Sequence, residues 1–396
     1  MTKIVKLEEL ASVKGGKRLP KGVNLITTKN SHPYIRVRDL NNKHTLELNG
    51  DFEYVDDETQ KTIARYIVDS GDIVLSIVGT IGLVAIVGDS LHHANLTENC
   101  VKLTQLNDVD RDYLYYFLKS ELGQAEIAKG TVGAVQAKLP IKNIQAIDVV
   151  LPGLERQKKI ASILAAIDYK IEVNEKINDN LQQQAAALFH ELFIVNPESE
   201  KWPLVTLDSL SSLVTRGITP KYANDSMQIV LNQKCIRDHN IDTSLGRSHQ
   251  PKAINEKWLQ FGDLLINSTG EGTLGRTAQV WFRPKDVTVD SHVTIVRPQN
   301  QQLIFYVGFW GLSHEREIEA LHTGSTGQTE LPRERVKAME LRLPDNETLA
   351  QFNAVIEPMT ALIVANQQEN SRLANVRDML LPKLIAGEID VSSIIP

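Results

Sequence analysis

The sequence predicts an α/β fold, α+β-like in its layout, made by internal duplication. Two homologous domains are separated by a long two-helix coiled-coil spacer and related by a pseudo-twofold. Three observations predict this. Two stretches place apolar or asparagine residues at 4-3-4-3 spacing. Each stretch follows a short alternating segment that ends in Leu-Pro. The prolines closing those segments, Pro152 and Pro344, lie 192 residues apart.

The domain starts match first. KLEELASVKGGKRLPKG (6–22) resembles VTLDSLSSLVTRGITPKY (205–222), and the short runs YIRV (34–37) and IVLN (229–232) follow as strands. Next come GDIVLSIVGTIGLVAIVG from Gly71 and GDLLINSTGEGTLGRTAQV from Gly262. Each opens with Gly-Asp, enters an apolar strand, turns at glycine and enters another strand, as a hairpin does. KGTVGAVQAKLP (129–140) then answers TGSTGQTELP (323–332), and IDVVLP (147–152) answers MELRLP (339–344). The offset drifts from about 200 near the starts to 192, as loop insertions within related units produce.

The long helices come last in each half. Ile160, Leu164, Ile167, Ile171, Asn174, Asn178, Leu181, Ala185, Leu188 and Leu192 keep the heptad spacing. Phe352, Ile356, Met359, Ile363, Asn366, Asn370, Leu373, Arg377, Leu380 and Leu384 repeat it, each 192 residues on. An average spacing of 3.5 is the coiled-coil repeat, and each helix should reach about 50 Å at ~1.5 Å per residue. Arg377 breaks the rule, and Val376 beside it is expected to take up the seam. Each stripe needs a partner, and the other helix is the natural one. Central asparagines meet in an antiparallel pair and equally in a parallel pair in register, so the direction stays open. Pro358 should kink or split the second helix. The expected layout is 1–153 for domain one, 154–195 for the central helix, 204–344 for domain two, 345–387 for the second helix and 388–396 for a tail.

Composition narrows the function. The chain has 396 residues, is 42% hydrophobic and carries a formal net charge of -6. A small basic nucleic-acid module is excluded, but a large DNA binder needs only a basic contact face. The two cysteines, Cys100 and Cys235, lie in apolar stretches outside any CxxC, which fits buried free thiols and a cytoplasmic protein. The start has no apolar core of a signal peptide. Residues 73–88 come closest to a membrane span but read better as two strands, so no membrane is expected. The adjacent His92 and His93 are not followed by spaced ligands, so no metal is expected. GTIG (79–82) and GEGTLG (270–275) lack the Lys-Ser/Thr of a phosphate loop and return into a strand. No nucleophile elbow and no methyltransferase motif appears, so no catalytic residue is named.

Candidate nucleic-acid contacts are local. Residues 1–50 hold ten Lys or Arg against four acids, and residues 51–128 hold five against fourteen. Lys17, Arg18 and Lys21, with Arg216 and Lys221 in the second half, suit phosphate positioning beside glycine turns. Arg36 and Arg38 should share one face of a strand, and Asn232, Gln233 and Lys234 follow the matching strand. Arginine matches guanine edges, and Asn or Gln matches adenine. The glycine loops add Lys129, Thr131 and Gln136, then Ser325, Thr326, Gln328 and Arg333. Arg276, in the second hairpin, is a further candidate.

The ordered, duplicated set resembles the specificity (S) subunits of type I restriction-modification systems. RGITP (216–220), the two Gly-Asp hairpins, VLPGLERQKKIASILAAID (150–168) and MLLPKLIAGEID (379–390) carry the resemblance. PDNETLAQFNAVIEP departs from it at the second helix entry. The resemblance implies that each α/β unit is a target recognition domain for one half of a split target in double-stranded DNA. Unlike residues at the candidate contacts imply an asymmetric target. The helices would space the half-sites and contact two modification subunits. Those subunits would methylate adenine N6 with S-adenosylmethionine, and restriction subunits would add ATP- and Mg-dependent cleavage. The S chain itself would bind no cofactor and catalyse nothing. Apart from the resemblance, the same architecture would serve a non-enzymatic protein-binding scaffold.

Overall fold

The computed structural model describes residues 2–40, 44–133, 136–224, 226–324 and 329–392. It is a mixed α/β architecture that divides into two compact units. One holds Met1–Val173 with Glu369–Pro396, and the other holds Asn174–Gln368.

In the first unit, strands β1 (Lys3–Lys6), β2 (Ser12–Gly15), β3 (Ile73–Ser76), β4 (Val84–Val87) and β5 (Cys100–Thr104) precede helix α1 (Arg111–Lys119). Strand β6 (Asp148–Leu151) then leads into helix α2 (Leu154–Phe189). The main sheet runs β2-β5-β3-β4, antiparallel, with Thr45–Leu46 added parallel at the β4 edge. β1 and β6 form a separate antiparallel ribbon. The run Tyr113–Leu118 of α1 is buried on every side, as a helix inside a core must be.

The second unit has β7 (Leu204–Thr206), β8 (Ser211–Arg216), β9 (Leu264–Asn267), β10 (Thr277–Gln279) and β11 (Val293–Pro298). Helix α3 (Ile304–Ser313), strand β12 (Glu340–Arg342) and helix α4 (Asn346–Ala386) follow. The sheet order is β8-β11-β9-β10, antiparallel, and β7 pairs with β12. A smaller three-stranded sheet joins Ile229–Leu231, Arg247–Ser248 and Val287–Val289.

Both Gly-Asp hairpins form, β3 with β4 and β9 with β10. The dipeptide has a local cause. Gly71 and Gly262 take φ of +87° and +91°, a backbone region that suits glycine. The aspartate that follows accepts from a backbone N–H three residues back, Asp69 at 2.9 Å and Gln260 at 2.8 Å. Each carboxylate then pairs with a cation on the next strand, Asp72 with Lys102 and Asp263 with Arg297, both at 2.8 Å.

The long helices pair antiparallel within each unit. In the first, Arg377 meets Asp168 at 2.6 Å, and Asn370 Nδ2 donates to the Ile171 carbonyl. In the second, Asn366 Nδ2 donates to Asn178 Oδ1 at 2.8 Å, and Phe352 packs edge-on to Phe189. All the heptad positions from Ile160 through Leu192 and from Phe352 through Leu384 are buried or half-buried.

Two expectations are corrected, on Arg377 and Pro358. Arg377 keeps its seam position because Asp168 satisfies its charge, while Val376 is exposed. Pro358 does not split α4, which runs unbroken through it. Pro358 and Ala354, whose carbonyl loses its helical donor, both lie on the exposed side. The central helix is α-helical to Phe189 and continues as a π-helical turn at His190–Ile194, which buries Phe193 beside Phe189.

Residues 73–88 form a hairpin whose two strands are buried. The stretch long and apolar enough to cross a membrane lies in α4, with mean hydropathy 1.3 in an 18-residue window. A helix carrying one seam and few charges reaches that value by composition. Cys100 and Cys235 are free and buried, and burial pushes both thiols above their ordinary pKa. A thiol-specific reagent is therefore expected to react with neither in the native chain and with both in denaturant. Fast native labelling at either position would contradict the packing around it.

Candidate nucleic-acid interface

In each unit, backbone hydrogen bonds gather four loop segments at one end of the main sheet. In the first unit, the Gly16 N–H donates to Cys100 O at 3.1 Å and the Lys17 N–H to Leu96 O at 2.8 Å. The Ile77 N–H donates to Asn99 O at 2.8 Å, and the Leu139 N–H to Ile77 O at 2.9 Å. Segments 15–18, 77–82, 96–100 and, among the described residues, 131–133 and 136–139 are thereby adjacent. In the second unit, the Gly217 N–H donates to Val293 O and the Ile218 N–H to Val289 O. The Ser268 N–H donates to His292 O, and the Leu331 N–H to Ser268 O. The hairpin turn also bridges the glycine loop directly, Val78 with Lys138 and Thr269 with Glu330.

Several predicted residues sit on these loops. Lys17, Arg18 and Gln136 are exposed in the first unit, and Thr131 is half-buried, its hydroxyl donating to Ile127 O at 2.8 Å. Lys21 is exposed four residues beyond Lys17. Arg216 is half-buried. Its Nη2 donates to Leu331 O at 2.7 Å and pairs with Glu330 at 3.0 Å, so it fastens the glycine loop to β8. Arg276 closes the hairpin turn. Lys221 is exposed. Asn232 caps its own turn by accepting from the Lys234 N–H, and Asn267 Nδ2 donates to Gln233 O, so this segment backs the hairpin. Ser325, Thr326 and Gln328 lie outside the described residues.

Other candidates are placed differently than predicted. Arg36 and Arg38 do not alternate along a strand, because the strand is only Tyr34–Ile35 and Val37–Asp39 turns as a 3-10 helix. Arg36 is held by Asp39 at 2.9 Å and by Glu53, while Arg38 points outward and reaches Glu53 at 2.6 Å. Lys129 belongs to the last turn of the helix Glu121–Gly130, paired with Glu126, and Arg333 starts the helix Arg333–Lys337.

The electrostatics follow from these pairs. Arg18 pairs with Glu98 at 2.5 Å and Arg333 with Glu334 at 2.9 Å. Pairs this exposed are screened by water and contribute little, so the cations can exchange a carboxylate for a phosphate. The sequence reading missed Lys138, exposed on the first glycine loop, and Arg247, whose guanidinium lies 3.5 Å over the Tyr222 ring. Arg247 is 25 residues beyond Tyr222, and only strand pairing brings them together.

Comparison with known proteins fits this arrangement. Residues 2–183 match a family model described as Type I restriction modification DNA specificity domain. The Type I restriction enzyme MjaIX specificity subunit of Methanocaldococcus jannaschii is 23% identical, over 91% of this chain and 88% of that protein. The Type I restriction enzyme HindI specificity subunit of Haemophilus influenzae is 20% identical, over 64% of this chain and 71% of its own length. In fold, the crystal structure of a type I restriction-modification S subunit from M. genitalium superposes with a TM-score of 0.60 at 15% identity. That match covers 97% of this chain and 96% of the other. The domain match over the first half and the relative aligned along most of the chain point the same way, to the specificity subunits of type I restriction-modification systems.

Proposed function

We propose that this chain reads a two-part, asymmetric sequence in double-stranded DNA, one part with each loop cluster. It would position adenine-N6 methyltransferase and restriction subunits there and leave all chemistry to them. One observation carries the reading. Each unit gathers the same four segments by matching hydrogen bonds, Leu139 to Ile77 and Leu331 to Ser268, yet the side chains on them differ, exposed in the first cluster and, but for His292, half-buried in the second. Lys17, Arg18 and Gln136 on one cluster stand against Arg216, Thr269 and His292 on the other. A shared backbone frame with unlike donors and acceptors suits two related readers of unlike sequences. Lysine and arginine among them would supply the phosphate contacts that set register.

In this reading, the paired helices set the gap between the two parts of the target. They also carry the surface for two modification subunits. Both α2 and α4 begin in or beside one unit and end in the other. Deleting one matched heptad from each helix should change the gap, as mapped by sequencing methylated adenines, and leave both half-sites intact. Changed half-sites with an unchanged gap would contradict the spacer role. A protein-binding scaffold with the same architecture predicts instead that the assembled complex shows no salt-sensitive DNA binding.

A further inference from the structure

His92 and His93 are placed by a turn that does not suit them. Leu91–Ala94 is a β-turn closed by the Ala94 N–H donating to Leu91 O at 2.9 Å. His92 takes φ -57° and ψ 128°, and His93 takes φ 67°. Those angles are type II, whose third position normally needs glycine or asparagine. A histidine there is strained, and strained backbone gathers at functional sites. Its own N–H donating to Val68 O at 2.8 Å holds it in place.

The turn brings two consecutive side chains to the same side. Their rings stack with centroids 3.8 Å apart. Asp69, from the turn that starts β3, faces both. Its Oδ1 is 3.7 Å from His92 Nδ1 and 3.6 Å from His93 Nε2. The three atoms lie within 4.8 Å of one another. Lys102 Nζ approaches the other carboxylate oxygen, Oδ2, at 3.5 Å, which directs Oδ1 toward the rings. The Ser70 N–H donates to His92 Nδ1 at 3.3 Å, so in the neutral ring that nitrogen carries the lone pair a metal would take over.

We propose that Asp69, His92 and His93 bind zinc, with water as the fourth ligand. Two imidazoles and a carboxylate suit this ion. Bonds of about 2.0–2.1 Å set tetrahedral ligand atoms about 3.3 Å apart, against 3.7 and 3.6 Å from the carboxylate to the two rings and at most 4.8 Å within the group. Both histidine side chains are more than half exposed and free to rotate into it. Residues 69–72 precede β3, whereas the reading loop 77–82 follows it. The ion is therefore a structural staple between two turns, away from the loop cluster. The sequence reading found only the adjacent pair, since Asp69 is distant along the chain.

The test uses the full-length chain, stripped with chelator and dialysed against zinc, with cobalt(II) absorption as a second probe. The His93→Gly, His92→Ala and Asp69→Ala variants and the triple variant are compared with it. One equivalent of zinc above the triple variant is expected, with a zinc-dependent rise in melting temperature, and both are lost in each single variant. His93→Gly relaxes the turn, so without metal it should melt no lower than the unsubstituted chain. Zinc uptake by His93→Gly equal to that of the unsubstituted chain would overturn the proposal. So would an unsubstituted chain that takes up no more than the triple variant.

Discussion

Gly16→Ala and Gly217→Ala will each strongly destabilise the unit that carries them, by about 3 kcal/mol or more. A Cβ at Gly16 would lie 2.0 Å from the Thr97 carbonyl oxygen, and one at Gly217 would lie 2.0 Å from that of Val289. Both obstacles are backbone, so no rotamer change relieves them. The strand would have to part from its neighbour, breaking the Gly16 bond to Cys100 or the Gly217 bond to Val293. Those bonds tie the first loop of each cluster to the sheet, so the reading loops should loosen along with the core. In thermal unfolding, the loss corresponds to roughly 10 °C for a unit of this size. Gly50→Ala is the control, since a Cβ there meets nothing within 4 Å and should cost within about 0.5 kcal/mol. Melting curves for Gly16→Ala and Gly50→Ala that coincide would refute the close strand approach.

The second large effect is expected at the helix pair. Arg377→Ala removes the partner of Asp168, which sits at the junction of three helices. Asp168 accepts from Arg377 Nη1 at 2.6 Å on one oxygen and from the Tyr116 hydroxyl at 2.8 Å on the other. Its side chain is only 10% exposed. Removing one member of a buried pair leaves the other charge unsatisfied, at a cost of about 3–5 kcal/mol. The guanidinium keeps some solvent contact, with its side chain 21% exposed, so about 2–4 kcal/mol is expected here. The heptad pattern suggests the rescue. Position 377 belongs to the apolar seam, so Asp168→Ala with Arg377→Leu should recover most of the loss. Denaturant unfolding of Arg377→Leu, Asp168→Ala and their combination beside the unsubstituted chain closes a double-mutant cycle and reads the coupling directly. A loss below about 0.5 kcal/mol for Arg377→Ala would mean the pair behaves as a surface bridge.

The two positions show what the sequence makes legible. Heptad spacing revealed both long helices because a 3.5-residue period held over many turns matches paired helices and neither strands nor loops. It also marked Arg377 as the exception, but spacing alone offered no reason to keep a charge in the seam. Asp168 supplies that reason, and it lies 209 residues away along the chain. The hairpins were legible from Gly-Asp and the following glycines. Helix α3 was not, because a short run buried almost throughout carries neither helical nor strand periodicity.

The candidate interface was legible in part. Glycine-rich turns located the loop segments, and most named residues fall on them. Arg36 and Arg38 were misread because the apolar alternation continues past Ile35, where the chain turns into a 3-10 helix capped by the Arg36–Asp39 pair. Ion pairing with Glu98, Glu53 and Glu330 was hidden as well, since it depends on strand register.

The central claim is that two related loop clusters read two unlike half-sites. It is tested most directly by sequencing-based mapping of methylated adenines in DNA from cells that co-express this chain with the modification subunit it is proposed to bind. The account predicts one target of two unlike specific parts separated by a gap of unspecified sequence. A single contiguous palindrome, or methylation without sequence preference, would contradict it.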